Sequence, residues 1–144
     1  MPKKSNYVST NRSTRRMGYY LKEHYGNSYY AMDFVFGEGS VRMYDRNSKK
    51  YKSFYYPSSM FKRSVEYPLK DSPSNSIFID FSENQNTGLT RFFDKYPYQR
   101  VIGTDHQNDP RKDYFQMPVR DCFDGLVFVK KAHAAENIER NKRH

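Results

Sequence analysis

Apolar and polar positions alternate most clearly between Arg16 and Ser40. Met17, Tyr20, Leu21, His24 and Tyr25 recur at i, i+3, i+4, i+7 and i+8, which predicts one face of a helix. Gly26-Asn27 follows and supplies the left-handed residue at which helices end. From Tyr29 to Phe36 the only charged residue is Asp33, and a run this apolar and aromatic predicts a strand covered on both faces. Gly37-Glu38-Gly39-Ser40 comes next and reads as a Gly-rich loop at that strand's C-terminal end, where the ligand-binding loops of open α/β sheets collect.

Further along, Val41–Asp45 and Tyr51–Tyr56 alternate around the polar loop Arg46–Lys50, which predicts a β-hairpin at a Lys-guarded sheet edge. A short helix is expected from Ser64 through Lys70, although Pro68 sits near the limit of what a first turn tolerates. Strands are expected at Ile77–Phe81, Tyr98–Gly103 and Phe123–Val129, with a helical turn or two at Leu89, Phe92 and Phe93 that ends at Tyr96-Pro97. Residues 1–15 are predicted to be a flexible basic arm and residues 132–144 a charged tail. The segment between them, 16–131, is expected to be an α/β domain. Its sheet of about four strands (29–36, 77–81, 98–103 and 123–129) should be mostly parallel, because helical segments separate the strands. Helices flank this sheet and the hairpin lies at one edge.

At 144 residues the chain is the size of one domain. Its core material is unusual, since 16 Leu, Ile and Val stand beside 25 Phe and Tyr. With a net charge of +9, the scarcity of aliphatics borders on the composition of disordered chains, and the 14 tyrosines pull back toward order because each ring buries a large area. The single cysteine, Cys122, excludes an internal disulfide and reads as a core thiol beside a buried strand. No apolar run approaches the ~18 residues that cross a membrane, and Lys3 and Lys4 are not followed by the apolar region of a secretory signal. A cytoplasmic, reducing location is the expectation.

No G-x-S-x-G elbow, phosphate-binding Gly loop or zinc spacing occurs, so neither cofactor nor metal is expected. His106 and Asp109 are two ligands at most, too few for a metal site, and His24 belongs to the packed face of the first helix. Asp80 and Glu83 form a carboxylate pair at a strand end, where turn hydrogen bonding is the simpler role. Gly37, Glu38, Gly39 and Ser40 are the candidate substrate-facing surface, against the plainer reading of a hairpin turn. An anion-binding surface of Lys3, Lys4, Arg12, Arg15, Arg42, Arg46, Lys49 and Lys50 would suit nucleic acid, but most of the aromatic residues fall inside apolar runs that need them as core.

The stretch MGYYLKEHYGNSYYAMDFVFGEGS resembles a segment of the erythromycin-esterase-like proteins. There, a helix of the form "MG-x-x-L" leads through a "YG-x-x-YY" turn into a strand and a "G-x-G-S" loop. Ser64-Val65-Glu66-Tyr67, Ile77-Phe78-Ile79-Asp80-Phe81, Arg100-Val101-Ile102-Gly103 and Phe123-Asp124-Gly125-Leu126-Val127-Phe128-Val129 agree in order and rough spacing. The resemblance covers about residues 15–131 and the C-terminal part of that family. It implies a central, mostly parallel sheet between helices. It also implies hydrolysis of a macrolide lactone or related small-molecule ester, by water that a histidine base activates without a metal. The family's "AHN-x-H" pattern corresponds here to Asn6–Asn11, which contains no histidine, so no catalytic residue is carried over. The expectation is a partial member, inactive alone, that works with an N-terminal half or a complementary chain. The alternative is a small basic binding module for nucleic acid or another anionic partner.

Overall fold

Two apolar runs at opposite ends of the sequence lie side by side at the centre of the sheet. The computed structural model describes residues 17–81, 87–106 and 109–136. In chain order its elements are α1 (Met17–Tyr25), β1 (Met32–Asp45), β2 (Lys50–Tyr56), α2 (Glu66–Leu69), β3 (Ser76–Asp80), α3 (Thr87–Lys95), β4 (Tyr98–Arg100), β5 (Tyr114–Gln116), α4 (Val119–Cys122) and β6 (Gly125–Ala132). The main sheet has the order β2-β1-β6-β3. β1 runs parallel to β6 from Met32 opposite Gly125 to Gly39 opposite Ala132. β3 lies antiparallel to β6, and the second half of β1 forms the antiparallel hairpin with β2 through a turn at residues 46–49.

The α/β class, the four-stranded sheet and the edge hairpin are as the sequence implies. Three details differ. The sheet is mostly antiparallel, because β2 and β3 both return against their neighbours and only the β1–β6 pair is parallel. The segment 98–103 does not join this sheet: β4 pairs antiparallel with β5 in a separate two-stranded ribbon. Within that ribbon Gln99 and Arg100 pair with Phe115 and Tyr114, while the Gln99 side chain reaches Asp33 on β1 and the Arg100 amide reaches Glu66 on α2. Finally, Gly37-Glu38-Gly39-Ser40 is not a loop, since β1 passes straight through it.

The two glycines allow this because β6 presses against them. A Cβ on Gly37 would stand 2.9 Å from the Lys130 carbonyl oxygen, and one on Gly39 would stand 2.1 Å from that of Ala132. Gly39 also has φ of 148°, a backbone angle that L side chains rarely adopt.

Paired positions in neighbouring strands share a face, so the register defines two surfaces. Val35, Phe128 and Ile77 form one row across β1, β6 and β3, and Leu126 and Ile79 stand beside it. This face meets Val65, Phe81, Phe93, Met117, Val119 and Cys122 in the core. Phe92 and Phe93 come from α3, whose apolar face the sequence marks and which Tyr96-Pro97 terminates. The opposite row is Phe34, Val127 and Phe78, with Met32 beside it. Phe34 is 67% exposed, Phe78 56% and Met32 48%.

The first helix ends as expected, with Gly26 at φ 55°. Its predicted apolar face is not packed, however. α1 buries no residue, and Met17, Tyr20, His24 and Tyr25 are exposed. Arm residues 1–15 and tail positions from 137 onward lie outside the described residues.

Replacing Gly39 with Ala forces the β1–β6 pair apart and strains φ, so Gly39→Ala is expected to destabilise the chain by about 2–4 kcal/mol. Urea denaturation checks this, and a loss below about 1 kcal/mol would show that β6 yields at little cost.

Candidate ligand-binding site

β2 pairs only with residues 39–45 of β1, so the edge of residues 32–38 that faces away from β6 has no neighbouring strand. Side chains cap it. Asp33 Oδ1 accepts from the Phe34 amide at 2.9 Å. The Arg100 guanidinium donates to the carbonyl oxygens of Phe36 and, at 3.3 Å, of Gly37. It also stands 4.0 Å from the centre of the Phe36 ring, a cation–π distance. Gln99 donates its amide to Asp33 Oδ2.

Behind this edge sits Glu66, the first residue of α2. The Val65 amide donates to the Tyr98 carbonyl at 2.9 Å and so clips the helix to β4. Glu66 Oε1 then accepts from the Arg100 amide at 2.8 Å. Asp33, Phe34, Phe36, Glu66, Gln99 and Arg100 line a cavity of about 270 Å³. A second layer backs it, in which the buried Tyr56 hydroxyl donates to Asp113 Oδ2 at 2.8 Å. A larger hollow of about 1100 Å³ between α3 and α4 has exposed charged residues, Arg63, Asp94 and Asp121, along its wall.

Burial dominates the electrostatics of the smaller cavity. It pushes the Asp33, Glu66 and Asp113 carboxyls above their ordinary range, against the opposing hydrogen bonds from Gln99, the Arg100 amide and Tyr56 respectively. Tyr56 is raised by burial and then by its bond to Asp113. Glu66 and Gln99 are each 2% exposed, and each keeps one oxygen, Oε2 and Oε1, without a partner. The nearby Ser64 hydroxyl gives its hydrogen bond to the Phe61 carbonyl at 2.9 Å. Carboxyls held above their usual pKa in a cavity are what general acid–base chemistry uses.

The predicted site residues fall around this cavity rather than in it. Gly37 contributes its carbonyl to Arg100. Glu38 is half-buried on β1, where it accepts from the Tyr55 hydroxyl at 3.2 Å and faces Lys131 at 3.8 Å. Gly39 opposes Tyr56 and Ser40 opposes Tyr55 in the hairpin. Among the hairpin cations, Arg46 is paired with Asp105, and Lys52 binds Asp45 at 2.7 Å and holds that carboxyl well below its usual range. Arg42, Lys49 and Lys50 are exposed along the hairpin, and Lys3, Lys4, Arg12 and Arg15 lie outside the described residues. His24 is exposed, and His106 stacks on Phe54 at 3.6 Å. Asp80 ends β3, and its expected companion Glu83 lies outside the described residues. Cys122 is buried and its thiol is pushed up to about 11, chiefly by that burial. No group of three metal-ligating side chains occurs among the described residues. No described helix is long and apolar enough to cross a membrane.

Sequence reasoning missed Glu66, Gln99, Arg100 and Asp113. A signal was available for two of them: Glu66 and Arg100 are charged residues set against apolar neighbours in Val65-Glu66-Tyr67 and Arg100-Val101-Ile102.

Residues 3–132 match the erythromycin esterase family. No curated protein matches the chain. Two solved structures share its fold. One is a protein from Bacillus cereus, with a TM-score of 0.67 and 18% identity over 79% of this chain and 27% of its own. The other is a succinoglycan biosynthesis protein, with a TM-score of 0.61 and 19% identity over 79% of this chain and 26% of its own. The chain therefore spans about a quarter of the length of these structures.

Glu66 holds its proton above the ordinary value of 4.5, so folding takes up a proton between that value and the folded one. Stability contributed in this way grows as pH falls through the folded pKa. As pH drops from about 7.5 to about 5, the native chain is expected to gain stability relative to Glu66→Gln. Urea midpoints measured at both pH values test this, and a constant gap between the two proteins would mean that Glu66 does not bind its proton more tightly on folding.

Proposed function

The chain belongs to the erythromycin esterase family, and we propose that these residues form the scaffold segment of a carboxylic-ester hydrolase of that type. The observation that carries this reading is the family match over 3–132. The reaction proposed is attack of water on a lactone or ester carbonyl, with a histidine taking the proton from the water. Among the described residues the histidines are poorly suited to that task. His24 is exposed at the end of α1, against the Tyr25 ring, His106 is stacked on Phe54, and His133 is exposed just past β6. None of the three lines the cavity that holds the shifted carboxyls. On this reading the base is therefore assigned to polypeptide other than the described residues, which supply the sheet and the wall of buried carboxyls.

The partner proposed is the remainder of the family fold, in the same or a complementary chain. The uncovered row Met32, Phe34, Val127 and Phe78 supports this, because an apolar sheet face of this kind is normally closed by a second layer. The matched structures also extend well beyond the aligned quarter of their length.

The purified 144-residue chain is expected to hydrolyse erythromycin and p-nitrophenyl acetate no faster than buffer does. Sustained turnover by this chain alone would place the base within it. The same chain is expected to bind the dye ANS through the open face. The double variant Phe34→Ser, Phe78→Ser should bind several-fold less dye with an unchanged urea midpoint, whereas a collapse in stability would mean that this face already belongs to the packed core.

A further inference from the structure

We propose that the cavity beside the first half of β1 is a binding site for a small hydroxylated molecule that carries an ammonium group, held by Glu66, Gln99 and Asp33. The proposal rests on the donors, acceptors and charges of the cavity, and it is independent of the hydrolase reading.

Buried polar atoms almost always find partners, so two orphans in one cavity mark a place where a water or a ligand can supply one. Here both orphans, Glu66 Oε2 and Gln99 Oε1, are acceptors. The Gln99 oxygen cannot be turned away by exchanging it with the amide nitrogen, because Nε2 is the atom that faces the Asp33 carboxylate. Arg100 does not fill the gap either, because its guanidinium is directed at the Phe36 and Gly37 carbonyls and at the Tyr114 hydroxyl. With Glu66 ionised, a ligand that satisfies this wall must therefore donate hydrogen bonds.

Charge narrows the class. Asp33 and Glu66 line the cavity with two carboxyls against the single guanidinium of Arg100. Ionising both leaves one negative charge uncompensated in a desolvated space, and that is costly unless a cation enters with it. An ammonium group supplies the missing charge and up to three donors. The cavity of about 270 Å³ has room for about nine waters, which is also room for one hydroxylated ring.

The test is a titration of the full ¹⁵N-labelled chain at neutral pH, with glucosamine hydrochloride as probe, glucose as its neutral counterpart and sodium chloride to match ionic strength. Amide shifts at residues 33–37, 66 and 99–101 are expected to saturate with glucosamine. Glucose should bind the same residues about tenfold or more weakly, and Glu66→Gln should weaken glucosamine by a similar factor. Where Glu66→Gln loses its dispersed spectrum, Asp33→Asn at the rim makes the same comparison with less burden on folding. Equal responses to glucosamine and glucose would overturn the assignment in favour of a neutral polyol. Shifts that merely follow ionic strength across the surface, or no shifts at all, would overturn it in favour of a cavity that holds only water.

Discussion

β1 and β6 approach each other more closely than side chains on β1 would allow. At Gly37 and Gly39 the space for a Cβ is already taken by the backbone of Lys130 and Ala132. That contact keeps β1 in a single strand of 14 residues, which pairs with β6 along its first half and with β2 along its second. The remaining elements hang from it. β3 extends the sheet from the other side of β6, and Asp124, just before β6, accepts from the Ala31 amide at 3.0 Å and stands 3.8 Å from the Lys22 ammonium of α1. Burying Leu126 and Phe128 completely on the core side contributes roughly 1.5–3 kcal/mol each.

The same half of β1 that has β6 on one side has no strand on the other. Natural sheets rarely leave such an edge bare. Here polar side chains do the work of a ladder, with Asp33 on an amide and Arg100 on two carbonyls. Once a guanidinium is placed there, its own desolvation must be offset. Glu66 and Gln99 are drawn in beside it, and the Phe36, Tyr56 and Tyr114 rings surround it. Edge protection and the cavity thus have one origin. A strongly aromatic chain with few aliphatic residues can build such a cluster because its rings bury a cation as readily as they bury one another.

Membership of the erythromycin esterase family and the uncovered sheet face bear on each other. The described residues close one face of the sheet with α3, α4 and the segment around Val65, while the opposite face carries apolar side chains that meet solvent. α1 is exposed in the same way, with its periodic apolar face unpacked. Helix and sheet both follow the binary pattern of elements that pack against something, and among the described residues nothing covers these two faces.

Local signals determined much of this protein by themselves. The helix stop at Gly26, the hairpin around residues 46–49, α3 ahead of Tyr96-Pro97 and the apolar runs that became β3 and β6 all follow from turn chemistry and periodicity. The family was legible too, because its motifs are short ordered strings. What local pattern does not contain is which strands pair, in which direction, and what a glycine is for. Gly37-x-Gly39 reads as a loop until Ala132, far along the chain, is seen to occupy the space of a side chain. Gln99 and Arg100 read as part of a strand, and they are, but only the fold shows that this strand pairs with β5 and that the two residues reach β1 and α2. Only tertiary structure decided the cavity, because its charges and orphan oxygens come from three separate segments, and their burial and pKa shifts exist only once those segments meet.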